Sequence, residues 1–313
     1  MGTTWEVVVS RLPPGVTRDQ VQGAVDTVLD EVNRHLSGWD ATSELARFNA
    51  AEVTEWIPAS ATLVETVAQS QAVSRASGGA FDVTVGPLVR AWGFGAGAAE
   101  DPATPTPSEI ERLRASVGYE KLALQQRPPA LRKATPALRV DLDGIAPGVA
   151  VDRIAARLEA LGIRDYLVEL GGEVRARGRH TSGRSWRIAV EAPVPGERRA
   201  QAVVELDGVG VSTSGDYRDF RESDGRRISH TIDPRTGAPV AHGLASVTVV
   251  HESVTAADAW STALMVLGPA EGLALAQRQG LAALFIERGP GGTLIESATP
   301  AFARFRRPLG RAL

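Results

Sequence analysis

Apolar residues follow two rhythms along this chain, and the first forty residues contain one of each. Residues 3–10 alternate toward a Val-rich strand. Thr17 and Gln20 then read as a capping pair, after which Val21, Ala24, Val25, Val28, Leu29 and Val32 recur at the spacing of one helical face. A strand followed by a long amphipathic helix is therefore the expected opening unit. Pro58 is expected to start a second helix, with Leu63, Val67 and Val73 turned inward and the Gly78-Gly79 pair supplying a left-handed cap. The stretch 96–108, rich in Ala, Pro, Gly and Thr, predicts a loop. It marks a candidate sub-domain edge in a chain otherwise read as one domain over residues 1–313.

The second half changes rhythm more often. Val140 to Leu142 reads as a short strand leading into Gly144-Ile145-Ala146-Pro147-Gly148, and Val151, Ile154, Ala155 and Leu158 then mark a helix. Pro147 suits its first turn, where an N–H would have no partner. Tyr166–Leu170 is a strand ending at Gly171-Gly172, and short strands are predicted at Trp186–Val190, Ala202–Leu206, Arg227–Ile232 and Ala245–Val250. Helices and strands mix without strict βαβ alternation. The fold class this predicts is α+β, with a mainly antiparallel sheet and packed helices.

Composition narrows the chemistry. Formal net charge is -3, so the chain lacks the basic excess that neutralises nucleic-acid phosphates, and no nucleic-acid partner is expected. There is no cysteine, which removes disulfides, thiolate nucleophiles and zinc thiolate sites and leaves oxygen and nitrogen groups to do any catalysis. Apolar runs such as Ala263–Leu267 fall short of the roughly 20 residues of a membrane span, so none is expected. Residues 1–6 show neither a basic nor an apolar leader, and the chain as given reads as cytoplasmic.

Five short stretches could carry chemistry. If Thr255–Leu264 is helical, Asp258 and Thr262 lie four apart on one face, and a carboxylate beside a hydroxyl suits magnesium. On spacing alone, an aspartate in a first helical turn above a quietly packed threonine is the commoner arrangement. His230 lies two residues before Ile232 on the same predicted strand face, with Asp233 just past the strand end. It is a candidate general base, though a lone histidine is more often structural. Ser212-Thr213-Ser214-Gly215-Asp216 could form an anion nest, or an ordinary Ser/Thr turn. Gly78-Gly79-Ala80-Phe81-Asp82 and Leu170-Gly171-Gly172-Glu173 would each let a ligand approach the backbone, and paired glycines also serve plain turns. Gly93-Phe94-Gly95-Ala96-Gly97 is not a dinucleotide fingerprint, and P-loop, H-E-x-x-H and G-x-S-x-G sequences do not occur.

In their order these stretches resemble the ApbE family, the FAD:protein FMN transferases. The resemblance is carried by Met1-Gly2-Thr3-Thr4, Ser43-Glu44-Leu45-Ala46-Arg47-Phe48-Asn49, Gly79 through Leu88 and Trp92-Gly93-Phe94. It continues through Gly144-Ile145-Ala146, Ala150-Val151-Asp152, Gly171-Gly172, Thr213 through Tyr217, His230 through Gly237, and Ala257-Asp258 with Thr262. It implies an α+β flavin-transferase fold with FAD in a central cleft. It also implies a magnesium ion held by Asp258, Thr262 and the backbone carbonyl of Ala146. Thr3, Ser43, Asn49, Phe81, Asp82, Gly171, Gly172, Glu173, Ser214, Gly215 and His230 would line the FAD site, and His230 with Asp233 would handle the proton. The implied reaction moves FMN from FAD to a Thr or Ser hydroxyl of an acceptor flavoprotein and releases AMP. The alternatives are an FAD pyrophosphatase and an FAD-binding protein without chemistry. Two departures stand out: Pro147 where the family usually has Lys, and Glu173 where it usually has Asp.

Overall fold

The computed structural model describes residues 3–99, 102–217, 220–223 and 226–309. The chain divides into two compact units, one holding residues 31–146 and 219–242, the other residues 2–30, 147–218 and 243–313. Of the predicted loop 96–108, residues 100 and 101 lie outside the described residues, 96–99 and 102–106 are in neither helix nor strand, and a helix begins at Pro107 behind the N-cap Thr106.

The second unit is built on a seven-stranded sheet in which every neighbouring pair is antiparallel. Its spatial order is Trp5–Val9, Tyr166–Leu170, Glu173–Arg177, Val209–Gly215, Leu244–His251, Ala282–Arg288, Leu294–Ala298. Side-chain alternation gives the sheet two different faces. Val174, Ala176, Val211, Val250, Leu284 and Ile286 point to one face, where they pack with Trp186, Val204, Leu206 and Phe302 from the small sheet Trp186–Glu191, Ala200–Leu206, Arg306–Arg307 and its neighbours. The opposite face carries the helix Val254–Arg278, which packs on the strands Val209–Gly215, Leu244–His251 and Ala282–Arg288. That helix is long and apolar enough to pass for a span by composition, but its backbone breaks at Gly268 (φ 77, ψ -177) ahead of Pro269. In the fold 67% of its most apolar window is buried, as suits a core helix.

The first unit holds the helices Glu44–Ala50, Ala61–Ala76, Gly86–Ala91 and Pro107–Arg114 and the sheet Ile57–Pro58, Pro129–Lys133, Leu122–Gln126. Leu88, Val117 and Ile232 form a small buried cluster with Trp92, Ile110 and Leu113 against it. The amphipathic helix Arg18–Leu36 is capped as the sequence predicts: the Thr17 N–H donates to Gln20 Oε1 at 2.8 Å and the Gln20 N–H to Thr17 Oγ1 at 3.3 Å.

Four expectations need correction. The second helix starts at Ala61 behind the N-cap Ser60, and Pro58 lies in a two-residue strand, where its missing N–H costs nothing at an edge. Val140–Leu142 forms no strand with any of the described residues; the Asn49 side chain bonds both backbone groups of Val140 instead. The strand at 227–232 ends at Ser229, so His230 lies past it. Ser212–Gly215 is neither a nest nor a turn: these residues belong to the sheet strand Val209–Gly215. The Ser-Thr-Ser run hid an interior strand because hydroxyls replace apolar residues on its helix-facing side.

Candidate functional site

In the second unit, side chains from three elements converge on the helix Val254–Arg278. Ser253 caps it, its Oγ accepting from the Ala256 N–H at 3.2 Å. Asp258 follows one turn later and Thr262 a turn beyond that, on one face as the spacing predicts. Asp258 is only 5% exposed. Its Oδ2 accepts the Gly148 N–H at 3.1 Å, so the start of the helix Ala146–Ala160 feeds a donor to this carboxylate. Gly148 permits that approach because a Cβ there would lie 2.7 Å from the Val254 carbonyl oxygen.

Below this helix, Ser212 and Ser214 project from alternate positions of their strand toward it. Ser214 Oγ lies 2.8 Å from Ser261 Oγ and 3.2 Å from Thr262 Oγ1. Ser212 Oγ lies 3.4 Å from Ser261 Oγ and donates to Glu173 Oε1 at 3.3 Å. Ser261 in turn donates to the Asp258 carbonyl at 2.9 Å. Glu173 is 8% exposed, and burial followed by the charge of Asp258 raises its proton affinity well above the ordinary carboxylate value. A ladder of hydroxyls thus runs from the Glu173 carboxylate to the Asp258 backbone, and the Asp258 charge reaches Glu173. Gly171, at φ 66, makes the turn before Glu173 and packs beside Thr3, while the Gly172 N–H donates to Glu169 Oε1 at 2.8 Å. Gly215 ends the strand beneath the Tyr217 ring, which leaves no room for a Cβ.

Asp152 holds the whole arrangement in place. It sits on the helix Ala146–Ala160, four residues after Gly148, and its carboxylate accepts from Ser253 Oγ (2.7 Å), the Val254 N–H (3.0 Å), the Thr255 N–H (3.0 Å) and Thr255 Oγ1 (2.9 Å). Arg175 adds an ion pair at 3.1 Å. An anion at a helix N-terminus is favoured by the dipole, and here it fixes where the Asp258 turn sits.

The candidate residues of the first unit serve mixed ends. Ser43 is a buried N-cap: it accepts from the Ala46 N–H at 2.9 Å and donates to the Ser37 carbonyl at 2.6 Å. Asn49 Nδ2 donates to the Val140 carbonyl at 2.8 Å and its Oδ1 accepts the Val140 N–H at 2.7 Å, so its amide is spent on architecture. Asp82 accepts from Thr84 N–H (2.8 Å), Thr84 Oγ1 (2.7 Å) and the Tyr119 N–H (2.6 Å); burial still raises its proton affinity. Phe81 is 4% exposed beside it. His230 lies edge-on to Phe94, with ring centroids 6.3 Å apart. The Asp233 carboxylate is taken up by Arg235, whose Nη2 donates to Oδ2 at 2.9 Å and whose N–H donates to Oδ1 at 2.9 Å. Ala146 is the last residue of this unit, and its N–H donates to the Leu142 carbonyl at 2.8 Å.

Several participants were missed in the sequence. Asp141 is pushed up to about 7 by burial and by the charge of Asp143, which accepts the Trp39 indole N–H at 3.1 Å. The Asp-Leu-Asp alternation was the available signal. Ser212, read in the sequence only as part of a nest or turn, has its role signalled by its i, i+2 spacing to Ser214, Ser261 by its adjacency to Thr262, and the anchoring role of Asp152 by its i, i+4 relation to Gly148.

Residues 1–285 match the model of the ApbE family. The chain belongs to the ApbE family. The FAD:protein FMN transferase of Haemophilus influenzae is 39% identical over 306 residues, covering 96% of this chain and 88% of that one. The Escherichia coli K12 protein of the same name is 38% identical over 311 residues, 97% of this chain and 87% of its own. Among solved structures, the apo flavinyl transferase ApbE of Pseudomonas stutzeri superposes with a TM-score of 0.89 at 44% identity, covering 97% and 94% of the two chains. The flavin transferase ApbE of Vibrio cholerae gives 0.89 at 38% identity over 97% and 96%. The α+β architecture of this ApbE protein is thus that of the flavin transferases.

A magnesium ion suits the donors of the second unit. Among the described residues no group of three or more His, Cys, Asp or Glu could hold a metal, which argues against a site built wholly of such side chains. One buried carboxylate with a hydroxyl one turn away is instead the sparse oxygen set magnesium uses when a substrate's phosphates complete its shell. The mutual charge of Asp258 and Glu173 further favours a cation there.

Proposed function

We propose that this ApbE protein is a magnesium-dependent FAD:protein FMN transferase that joins FMN through a phosphoester to a Thr or Ser hydroxyl of an acceptor flavoprotein and releases AMP. The observation that carries this reading is the buried Asp258 carboxylate, one turn from Thr262 and near enough to Glu173 to raise its proton affinity. Family membership and the names of the relatives supply the reaction. Asp258, Thr262 and the Ala146 carbonyl would hold the ion. Bound magnesium would offset the charge of the paired phosphates and of the departing AMP.

The protein's own groups do the positioning. Asp152 fixes the first turn of the Asp258 helix, and the serine ladder holds Thr262 Oγ1 in a set rotamer through Ser214. Pro147 brings no cation to the pyrophosphate where the family usually has Lys, so more of the neutralisation would fall to the ion that Asp258 would hold. His230 is our candidate to accept the proton from the acceptor hydroxyl, with Asp233 and Arg235 setting the shape of the following turn.

The decisive experiment mixes the purified chain with FAD, magnesium and candidate acceptor flavoproteins, then reads flavin fluorescence in a denaturing gel. A covalent fluorescent band with stoichiometric AMP supports the transferase. FMN and AMP without any band would move the reading to a pyrophosphatase, and intact FAD throughout would move it to a binding protein. For His230→Ala we expect a fall in transfer of about a hundredfold, with FAD binding kept; undiminished turnover would remove its role.

A further inference from the structure

The first unit contains a cavity of about 370 Å³ that none of the groups above uses. Its polar lining is Arg90, Arg112, Arg139, Ser116 and Thr135; the remainder is two alanines, a proline and a leucine, so among the described residues no carboxylate lines it. Three guanidinium groups on one cavity are unexpected in a chain of net charge -3. Each of them feels a carboxylate that does not line the cavity: Glu109 for Arg112, Glu52 for Arg139 and Asp141 for Arg90. Arg112 reaches Glu109 only at 3.8 Å, across two largely exposed side chains, a contact worth little. Arg139 donates Nη1 to the carbonyls of Pro136 and Leu138, which bear no net charge, and its other nitrogens are not used in these bonds. Arg90 is exposed and lies near enough to Arg139 to lower its proton affinity, after burial the largest cause. The Thr135 hydroxyl accepts the Ala137 N–H at 3.4 Å, which leaves its own proton to donate.

We propose that this cavity binds a small polyanion, a phosphate monoester or a di- or tricarboxylate, held by Arg90 and Arg139 with Arg112 at the rim. Guanidinium forks match both oxyanions bidentately, and two such forks brought together gain most from a ligand with at least two charges. The volume lies at the small end of the range for ligand pockets, which favours a metabolite-sized anion over a longer chain. The site is independent of the transfer chemistry proposed above.

The test modifies the full-length protein with phenylglyoxal and follows each arginine by peptide mass, with inorganic phosphate or tricarballylate as the probe. We expect either probe at millimolar concentration to slow modification of Arg90 and Arg139 at least about fivefold and to leave the exposed Arg157 and Arg278 unchanged. Titration calorimetry should show saturable binding that weakens at least about tenfold in Arg90→Gln/Arg139→Gln. That variant should melt within about 3 °C of the parent, since it removes a like-charge contact. Protection spread evenly over all arginines, or absent, overturns the proposal. So does protection by an oligoglutamate peptide alone, which would make this a protein-docking face, or a melting temperature lowered by more than about 5 °C, which would make the arginines structural.

Discussion

Asp152 and Glu173 are two acidic residues of the same unit, and the structure treats them in opposite ways. Asp152 receives four hydrogen bonds from the start of the Val254–Arg278 helix and an ion pair from Arg175, so its charge is matched where it stands. Glu173 receives a long bond from Ser212 and one from its own backbone N–H, and faces the charge of Asp258. A carboxylate saturated with donors is an element of architecture. One left short of donors beside a second carboxylate stores unfavourable charge that only a cation or a proton relieves. Asp82 in the first unit belongs with Asp152, since three donors from Thr84 and Tyr119 surround it.

The largest effect that could break this contrast is at Asp258. In Asp258→Asn the proposed ion loses its one carboxylate ligand, and transfer should fall by about a thousandfold. The same change removes the repulsion with Glu173, so the metal-free variant should melt no lower than the parent, and magnesium should no longer raise its melting temperature. Both are read by gel fluorescence and by melting curves with and without magnesium. A variant that keeps its magnesium response would show that Asp258 is as architectural as Asp152.

Asp152 should behave in the reverse order. Asp152→Ala leaves two helix N-terminal N–H groups and Arg175 without their partner, which should cost about 3 kcal/mol of stability by denaturant unfolding. Asp152→Asn keeps an acceptor and should cost about half as much. Because Asp152 acts on the site through the Asp258 turn, the asparagine variant should bind magnesium more weakly by about tenfold while a saturated enzyme turns over nearly normally. Loss of turnover at saturating magnesium would mean that Asp152 touches the chemistry itself.

How much of this could be read in the chain depended on whether a residue's periodicity matched its environment. The helix after Thr17, the strand Tyr166–Leu170 and the turn at Gly171-Gly172 obey local rules, and the structure has all three. The Asp258–Thr262 pair was legible for the same reason, as a spacing on one helix. The strand Val209–Gly215 was not, because the side that meets the helix carries Ser212 and Ser214 where a hydrophobic pattern would show leucine or valine. The resemblance places Asn49 in the FAD site, and the two bonds its amide makes to the Val140 backbone could not be read from the chain. Contacts between residues distant in sequence, such as Asp152 with Ser253 and Thr255, leave no periodic trace at all.

The contrast extends, with the smallest expected effect, to a buried group of opposite charge. Lys133 is 1% exposed in the first unit, and its Nζ donates to the carbonyls of Asn49 (3.1 Å) and Ala51 (2.7 Å) over the ring of Phe48. It has partners, as Asp152 does, yet burial first and then Arg139 lower its pKa from 10.5 to about 8, because the carbonyls supply dipoles and no counter-charge. Between about pH 8 and 10.5 the unfolded chain therefore holds a proton that the folded protein has released, so this group makes stability rise with pH across that window. A neutral amine still has an N–H for each carbonyl, so the bonds need not break. Relative to Lys133→Met, the parent should gain about 1 kcal/mol between pH 7.5 and 10, a value reduced for solvent screening, measured by urea unfolding at both pH values. A difference that stays flat, or that shrinks in the parent's favour, would show that neutral dipoles compensate a buried charge as fully as the donors around Asp152 do.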